Sequence, residues 1–146
     1  MHSDAPTHKP LQTNVEIENA AIAFVIERER REGRAARDTR HQGAIADIES
    51  DDRIIEVKAA GTTSRGFEVW LEPVQYEAAK AQPDRFWLYL VENVRQGDPS
   101  QFRLLRLGGE RLLKLIGNAK ERRYFSLPIP VAVYDEVAAE SGGTGG

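Results

Sequence analysis

Asp47, Glu49, Glu56 and Lys58 fall within one short stretch, Ala46–Lys58, reading ADIESDDRIIEVK. Two strands, over residues 44–50 and 53–59 and joined at Ser50-Asp51-Asp52, account for its pattern. Side chains alternate faces along a strand. Asp47 and Glu49 therefore share one face while Ile48 takes the other. Glu56 and Lys58 share a face, with Ile55 and Val57 opposite. Paired as a hairpin, the strands bring three carboxylates and one ammonium onto one patch. Such a set suits a hard divalent cation held beside a phosphate, because magnesium is usually bound by one or two carboxylates, waters and substrate phosphate. Two carboxylates about 4 Å apart repel by roughly 4 kcal/mol at an effective dielectric of 20. A cation or Lys58 must offset that repulsion.

The elements that position this patch can be read from periodicity. Residues 1–13 are polar and aperiodic and read as a disordered N-terminal tail. Asn14 is the expected N-cap of a helix over Val15–Glu32, with Val15, Ile22, Val25 and Ile26 on one stripe and Gly33 as the stop. Glu18 and Glu29 sit on or beside that stripe, whereas the run ERERRE reads chiefly as a solvated face with i,i+4 pairs. A short strand over residues 35–40 and a turn at His41-Gln42-Gly43 precede the motif strands. A polar loop, GTTSRG, then leads to an expected strand over Phe67–Leu71 and a short alanine-rich helix from Pro73 to about Ala81. Phe86–Val91 is a continuous apolar run of buried-strand type. Another strand over Phe102–Leu107, a helix over Glu110–Ile116 and a last strand over Arg122–Leu127 complete the order. A single domain over residues 14–130 follows, with residues 131–146 as a C-terminal tail that is flexible from 141. The simplest packing is α/β, a central mixed sheet flanked by helices.

Composition narrows the function classes. At 146 residues the chain is long enough for one core, and its lack of cysteine excludes disulfides and thiolate metal sites. No apolar run approaches a membrane span, and the polar N-terminus has no signal-peptide character, so no membrane partner and a cytoplasmic location are expected. A net charge of -3 argues against a strong, passive nucleic-acid binder, although arginines gather between Arg28 and Arg40 and leave a local basic patch open. Thr63 and Ser64 have no histidine partner at motif spacing, so serine-hydrolase chemistry has no support. His41 reads as a solvated turn residue. Phe86, Trp70, Trp87 and Tyr89 read as core and sheet-edge packing rather than base-stacking platforms.

The element order, Asp47, the Glu56-Val57-Lys58 (ExK) run and a following helix bearing Gln75 resemble the PD-(D/E)xK nuclease superfamily, the restriction-endonuclease-like fold, over about residues 16–94. More narrowly, DIES…IIEVK…WLEPVQYEAA…FWLYLVENV looks like a bacterial domain-of-unknown-function family near the Mrr-type restriction nucleases, whose members are often appended to helicases or other defence proteins. The resemblance implies magnesium- or manganese-dependent phosphodiester hydrolysis on DNA, in a defence or repair setting. It implies metal ligation by Asp47, Glu56 and the Val57 carbonyl, with Lys58 orienting or activating the attacking water. Gln75 has two readings of equal weight, a phosphate- or lysine-positioning group and an ordinary solvated helix residue. Glu49 has two readings, a secondary metal ligand beside Asp47 and, the favoured one, a surface salt bridge with Arg53. Many enzymes of this fold cut both strands as dimers, which implies a homodimer, and the defence context implies a protein partner.

One position departs from the family pattern. Where the opening helix often carries a metal-directed glutamate, this chain has Ile22, with Glu18 one turn earlier on the same stripe as a candidate substitute. Two classes of function therefore compete, a metal-dependent nuclease and a catalytically degenerate nuclease fold retained as a protein- or nucleic-acid-binding module. A plain α/β domain with a chance Glu56–Lys58 surface pair ranks behind both.

Overall fold

A computed structural model of the chain describes residues 9–122 and 125–143. The elements are α1 (Asn14–Arg31), β1 (Ala36–Asp38), β2 (Ile48–Ser50), β3 (Arg53–Ala59), α2 (Pro73–Ala81), β4 (Phe86–Glu92), β5 (Arg103–Leu107), α3 (Gly109–Gly117) and α4 (Val131–Gly143). The five strands form one sheet in chain order, β1-β2-β3-β4-β5. The β3–β4 pair is parallel and the other three are antiparallel, so the sheet is mixed. A parallel pair needs a crossover connection, and α2 supplies it.

Helix α1 starts at a capping box. Thr13 Oγ1 accepts from the Glu16 amide at 3.1 Å, and Glu16 Oε1 accepts from the Thr13 amide at 2.9 Å. The cap thus lies one residue before the expected Asn14. Ile17, Ala21, Ile22 and Val25 then pack on one face of the sheet against Ile48, Ile55, Val57, Tyr89 and Val91. Ala78 and Ala79 of α2 and Leu112 and Ile116 of α3 cover the other face against Ile54, Phe86 and Leu88. Alternation along β3 does what period two requires, with Ile55 and Val57 facing α1 and Ile54 on the opposite side. Strand β4, covered on both faces, is correspondingly apolar throughout its first six residues.

The expected strand over Phe67–Leu71 is absent. Residues 67–71 are irregular, and Phe67 and Trp70 are exposed rather than packed in the core or at the sheet edge. Alternation there describes an extended chain, but β3 is already flanked by β2 and β4, so the crossover meets no free central edge. Arg122 and residues 125–127 are likewise irregular, and the rest of that expected strand lies outside the described residues. Of the expected N-terminal tail, residues 1–8 lie outside the described residues, while Leu11 donates its amide to the Arg95 carbonyl at 2.9 Å. Residues 131–140 of α4 are all exposed.

The ERERRE run holds a second surprise. Glu29 is fully buried, four residues on from Val25 and on the same stripe. The Arg34 fork donates to both its oxygens at 2.6 and 2.8 Å, and Ser50 Oγ and the Tyr89 hydroxyl each donate at 3.0 Å. Arg106 and Arg53 approach to 3.7 and 3.9 Å. Burial pushes the Glu29 carboxyl up, but the bonds from Arg34, Tyr89 and Ser50 outweigh it and hold the pKa below the ordinary value. Tyr89 is pushed up to about 12 by burial and by the Glu29 charge. The neighbouring arginines are also occupied, Arg31 by Glu27, Arg37 by Glu49, and Arg40 by Asp38 and Glu18. Much of the Arg28–Arg40 run is thus a set of ion pairs rather than a free basic patch. Removing one member of a buried pair strands its partners, so Glu29→Ala is expected to cost about 3–5 kcal/mol of stability in urea unfolding, far more than Glu27→Ala at the exposed pair.

Candidate functional site

Glu56 projects from the middle of β3 and is only 6 % exposed. Lys58 places Nζ 3.1 Å from Glu56 Oε2, and Gln75 Nε2 donates to Glu56 Oε1 at 2.9 Å. The alternation of β3 puts Glu56 and Lys58 on one side of the strand, and the α2 crossover lays Gln75 against that side. Gln75 is buried, so the reading of it as a solvated helix residue does not hold. Its amide oxygen accepts from the Glu72 amide at 3.0 Å, and its nitrogen also reaches the Ile45 carbonyl at 3.3 Å. One side chain therefore caps α2, fixes Glu56 and ties down the segment ahead of β2.

Asp47 arrives by a different route from the one expected. It occupies a bend one residue before β2 rather than the strand itself. Thr39 pins that bend from the end of β1, its amide donating to the Asp47 carbonyl at 2.8 Å and its hydroxyl to the Ala46 carbonyl at 2.9 Å. Asp47 Oδ2 accepts from the Val57 amide at 2.9 Å. The N–H and C=O of one strand residue leave the same edge, so the Val57 carbonyl faces the edge that Asp47 occupies. Glu49 does not join the patch. It pairs with Arg37 at 2.8 Å, because Arg53, its expected partner, is drawn to the Tyr89 hydroxyl at 2.6 Å.

The patch thus holds two carboxylates, not three, and one ammonium. Burial pushes the Asp47 carboxyl up, the Val57 N–H pulls it back, and the Glu18 charge adds to the rise. Burial and then the Asp47 charge push Glu56 up to about 7, against the pull of Lys58. Ile22 is buried in the α1 core and brings no oxygen to the site. Glu18 acts on Asp47 through its charge but is held by Arg40 at 3.3 Å. Among the described residues no group of three or more His, Cys, Asp or Glu gathers in a metal-binding arrangement. The oxygens on offer are the Asp47 and Glu56 carboxylates and the Val57 carbonyl.

The loop after β3 closes this end of the sheet. Glu92, at the end of β4 and 5 % exposed, accepts from the Ser64 amide and hydroxyl, both at 2.7 Å, and from Thr63 Oγ1 at 3.3 Å. These bonds, the Ser64 amide foremost, hold its carboxyl below the ordinary glutamate value. The Asn93 amide donates to the Thr62 carbonyl at 2.8 Å. The Thr63 and Ser64 hydroxyls therefore anchor the loop to the end of β4. Neither Thr39 nor Glu92 carries a motif, and nothing local in the sequence singles them out.

Glu56 has a linkage consequence. Its pKa is raised on folding, so the stability it contributes is present below its ordinary value of 4.5 and is lost as pH rises through about 7. Glu56→Gln is expected to gain stability relative to wild type across that window, by up to about 3 kcal/mol. Urea unfolding of both chains between pH 4.5 and 8 checks this; a difference that shrinks as pH rises would contradict it.

Comparison with family models matches residues 17–105 to the family described as Protein NO VEIN, C-terminal. The match runs from the first turn of α1 into β5 and includes Asp47, Glu56, Lys58 and Gln75. No curated protein and no solved structure matches the chain.

Proposed function

From the premise that the chain belongs to the family of Protein NO VEIN C-terminal domains, we propose that it is a metal-dependent phosphodiesterase domain of PD-(D/E)xK type. Its substrate is DNA, and its setting is a defence or repair system. The observation that carries this reading is the pairing of the buried Glu56 with the partly buried Asp47, the two joined through the Val57 amide and backed by a single ammonium 3.1 Å from Glu56. Where Glu29 is met by three arginines, Asp47 and Glu56 share one lysine. That shortage of positive charge, with a strand carbonyl on the same edge, fits a hard cation.

Asp47, Glu56 and the Val57 carbonyl would hold magnesium or manganese. Bound there, the ion lowers the pKa of its water and neutralises charge developing on the phosphate. Lys58, tethered to Glu56 through the salt bridge, orients the attacking water and donates toward the phosphoryl oxygens. Gln75 holds the Glu56 carboxylate in one orientation and so acts as a positioning residue. Glu18 supplies the helix charge missing at Ile22.

The second reading, a binding module on a degenerate nuclease scaffold, is favoured by one observation, the burial of Ile22 where the superfamily often carries a glutamate. Calorimetric titration with magnesium and with manganese separates the two. The nuclease reading expects binding in the wild type that weakens about tenfold or more in Asp47→Ala and in Glu56→Ala. It also expects metal-dependent DNA cleavage that drops about a hundredfold or more in Lys58→Ala. No binding, or binding indifferent to both carboxylates, would leave only the module.

A further inference from the structure

The segment after α3 is the least explained surface of the molecule. Phe125, Leu127 and Ile129 are 66–87 % exposed, and Val133, Tyr134 and Val137 of α4 are 45–64 % exposed. Large apolar side chains are thus left exposed in succession along this segment of the chain. On α4, Val133 and Val137 stand one turn apart, with Tyr134 beside them. Glu136, at i+3 from Val133, lies on the flank of that face, and Glu140, at i+7, falls on the face itself. Phe125 to Gly146 contains no lysine or arginine. Helix α4 therefore presents exposed valines and a tyrosine interleaved with acidic side chains and with no basic one.

Its complement lies on the same chain. A groove of about 680 Å³ runs along α3, lined by Trp87, Arg106, Glu110, Arg111, Lys114 and Leu115. Leu115 is half exposed, and Trp87 gives the floor an aromatic surface that is packed against Gly108 and Arg53. Among the described residues no carboxylate pairs with Arg111 or Lys114, and no cation pairs with Glu136 or Glu140. The groove combines the apolar surfaces of Trp87 and Leu115 with four charged side chains, of which Arg106, Arg111 and Lys114 are basic and Glu110 acidic. Among the described residues, 131–140 of α4 are all exposed.

We propose that α4 of one copy docks in the α3 groove of a second copy, so that two chains exchange their C-terminal helices. The pairing is a helix laid in a groove, its valines and tyrosine on Trp87 and Leu115 and its acidic side chains along Arg111 and Lys114. Donor and acceptor surfaces sit on one chain, so a two-fold exchange makes the contact twice and leaves neither surface open. At 13 residues α4 is about 20 Å long, well over the length of the nine-residue α3 it lies along. This proposal does not depend on the chemistry at Asp47 and Glu56.

Two charge-reversed forms of the full chain test it by sedimentation velocity, with circular dichroism confirming that each is folded. Wild type is expected to be a dimer. Arg111→Glu/Lys114→Glu and Glu136→Lys/Glu140→Lys are each expected to dimerise about tenfold more weakly or worse. Mixed, they are expected to form a heterodimer, because each acidic groove then meets a basic helix and each basic groove an acidic one. A monomeric wild type, including one whose α4 docks on its own chain, would overturn the proposal. So would a dimer indifferent to both reversals, or a mixture that stays monomeric because the groove serves another partner such as nucleic acid.

Discussion

The parallel pairing of β3 with β4 is the constraint on which the remaining structure depends. Two parallel neighbours cannot be joined by a hairpin, so the chain must leave β3, cross one face of the sheet and return. The return is α2, and its path carries Gln75 over Glu56. With α1 already covering the opposite face, the sheet is enclosed on both sides and β4 becomes the apolar centre of the molecule. The distinctive chemistry therefore sits on the face of β3 that Gln75 of α2 covers, with Glu56 midway along the strand and Lys58 toward its carboxyl end.

Each face of the sheet buries a carboxylate, and the two are compensated in opposite ways. Glu29, on the α1 side, receives a forked arginine and two hydroxyls, with two further guanidinium groups close by. It is ionised and satisfied, and it ties α1 to β2 and β4. Glu56, on the α2 side, has a second carboxylate for a neighbour and one lysine to balance both. It is satisfied in hydrogen bonds but short of positive charge. The two clusters differ by their counter-charges, not by the depth of Glu29 and Glu56.

Much of this was legible in the residues themselves. Alternation in IIEVK separates Ile55 and Val57 from Glu56 and Lys58, and Pro73 marks the start of the helix that bears Gln75. Local patterns carry those features, so they survive folding. Asp47 reaches the same patch through a bend pinned by Thr39, a tertiary contact that no period encodes. Glu29 was hidden for the same reason, since its partners Arg34, Ser50 and Tyr89 come from three separate segments. The Phe67–Leu71 alternation misled because extended backbone is local while a place in a sheet is not.

Strand order in this sheet follows chain order, and that has a consequence for how the domain is made. Each strand pairs with the one before it, so nothing synthesised late must be threaded between strands already in place. The one long closure is the crossover between β3 and β4, and its loop-entropy cost grows only slowly with length. Asp47, Glu56, Lys58 and Gln75 have all been made by the time β4 emerges. A nascent chain ending at Glu92 already holds every group of the candidate site and both strands of the parallel pair. Strand β5 and α3 arrive afterwards as cover.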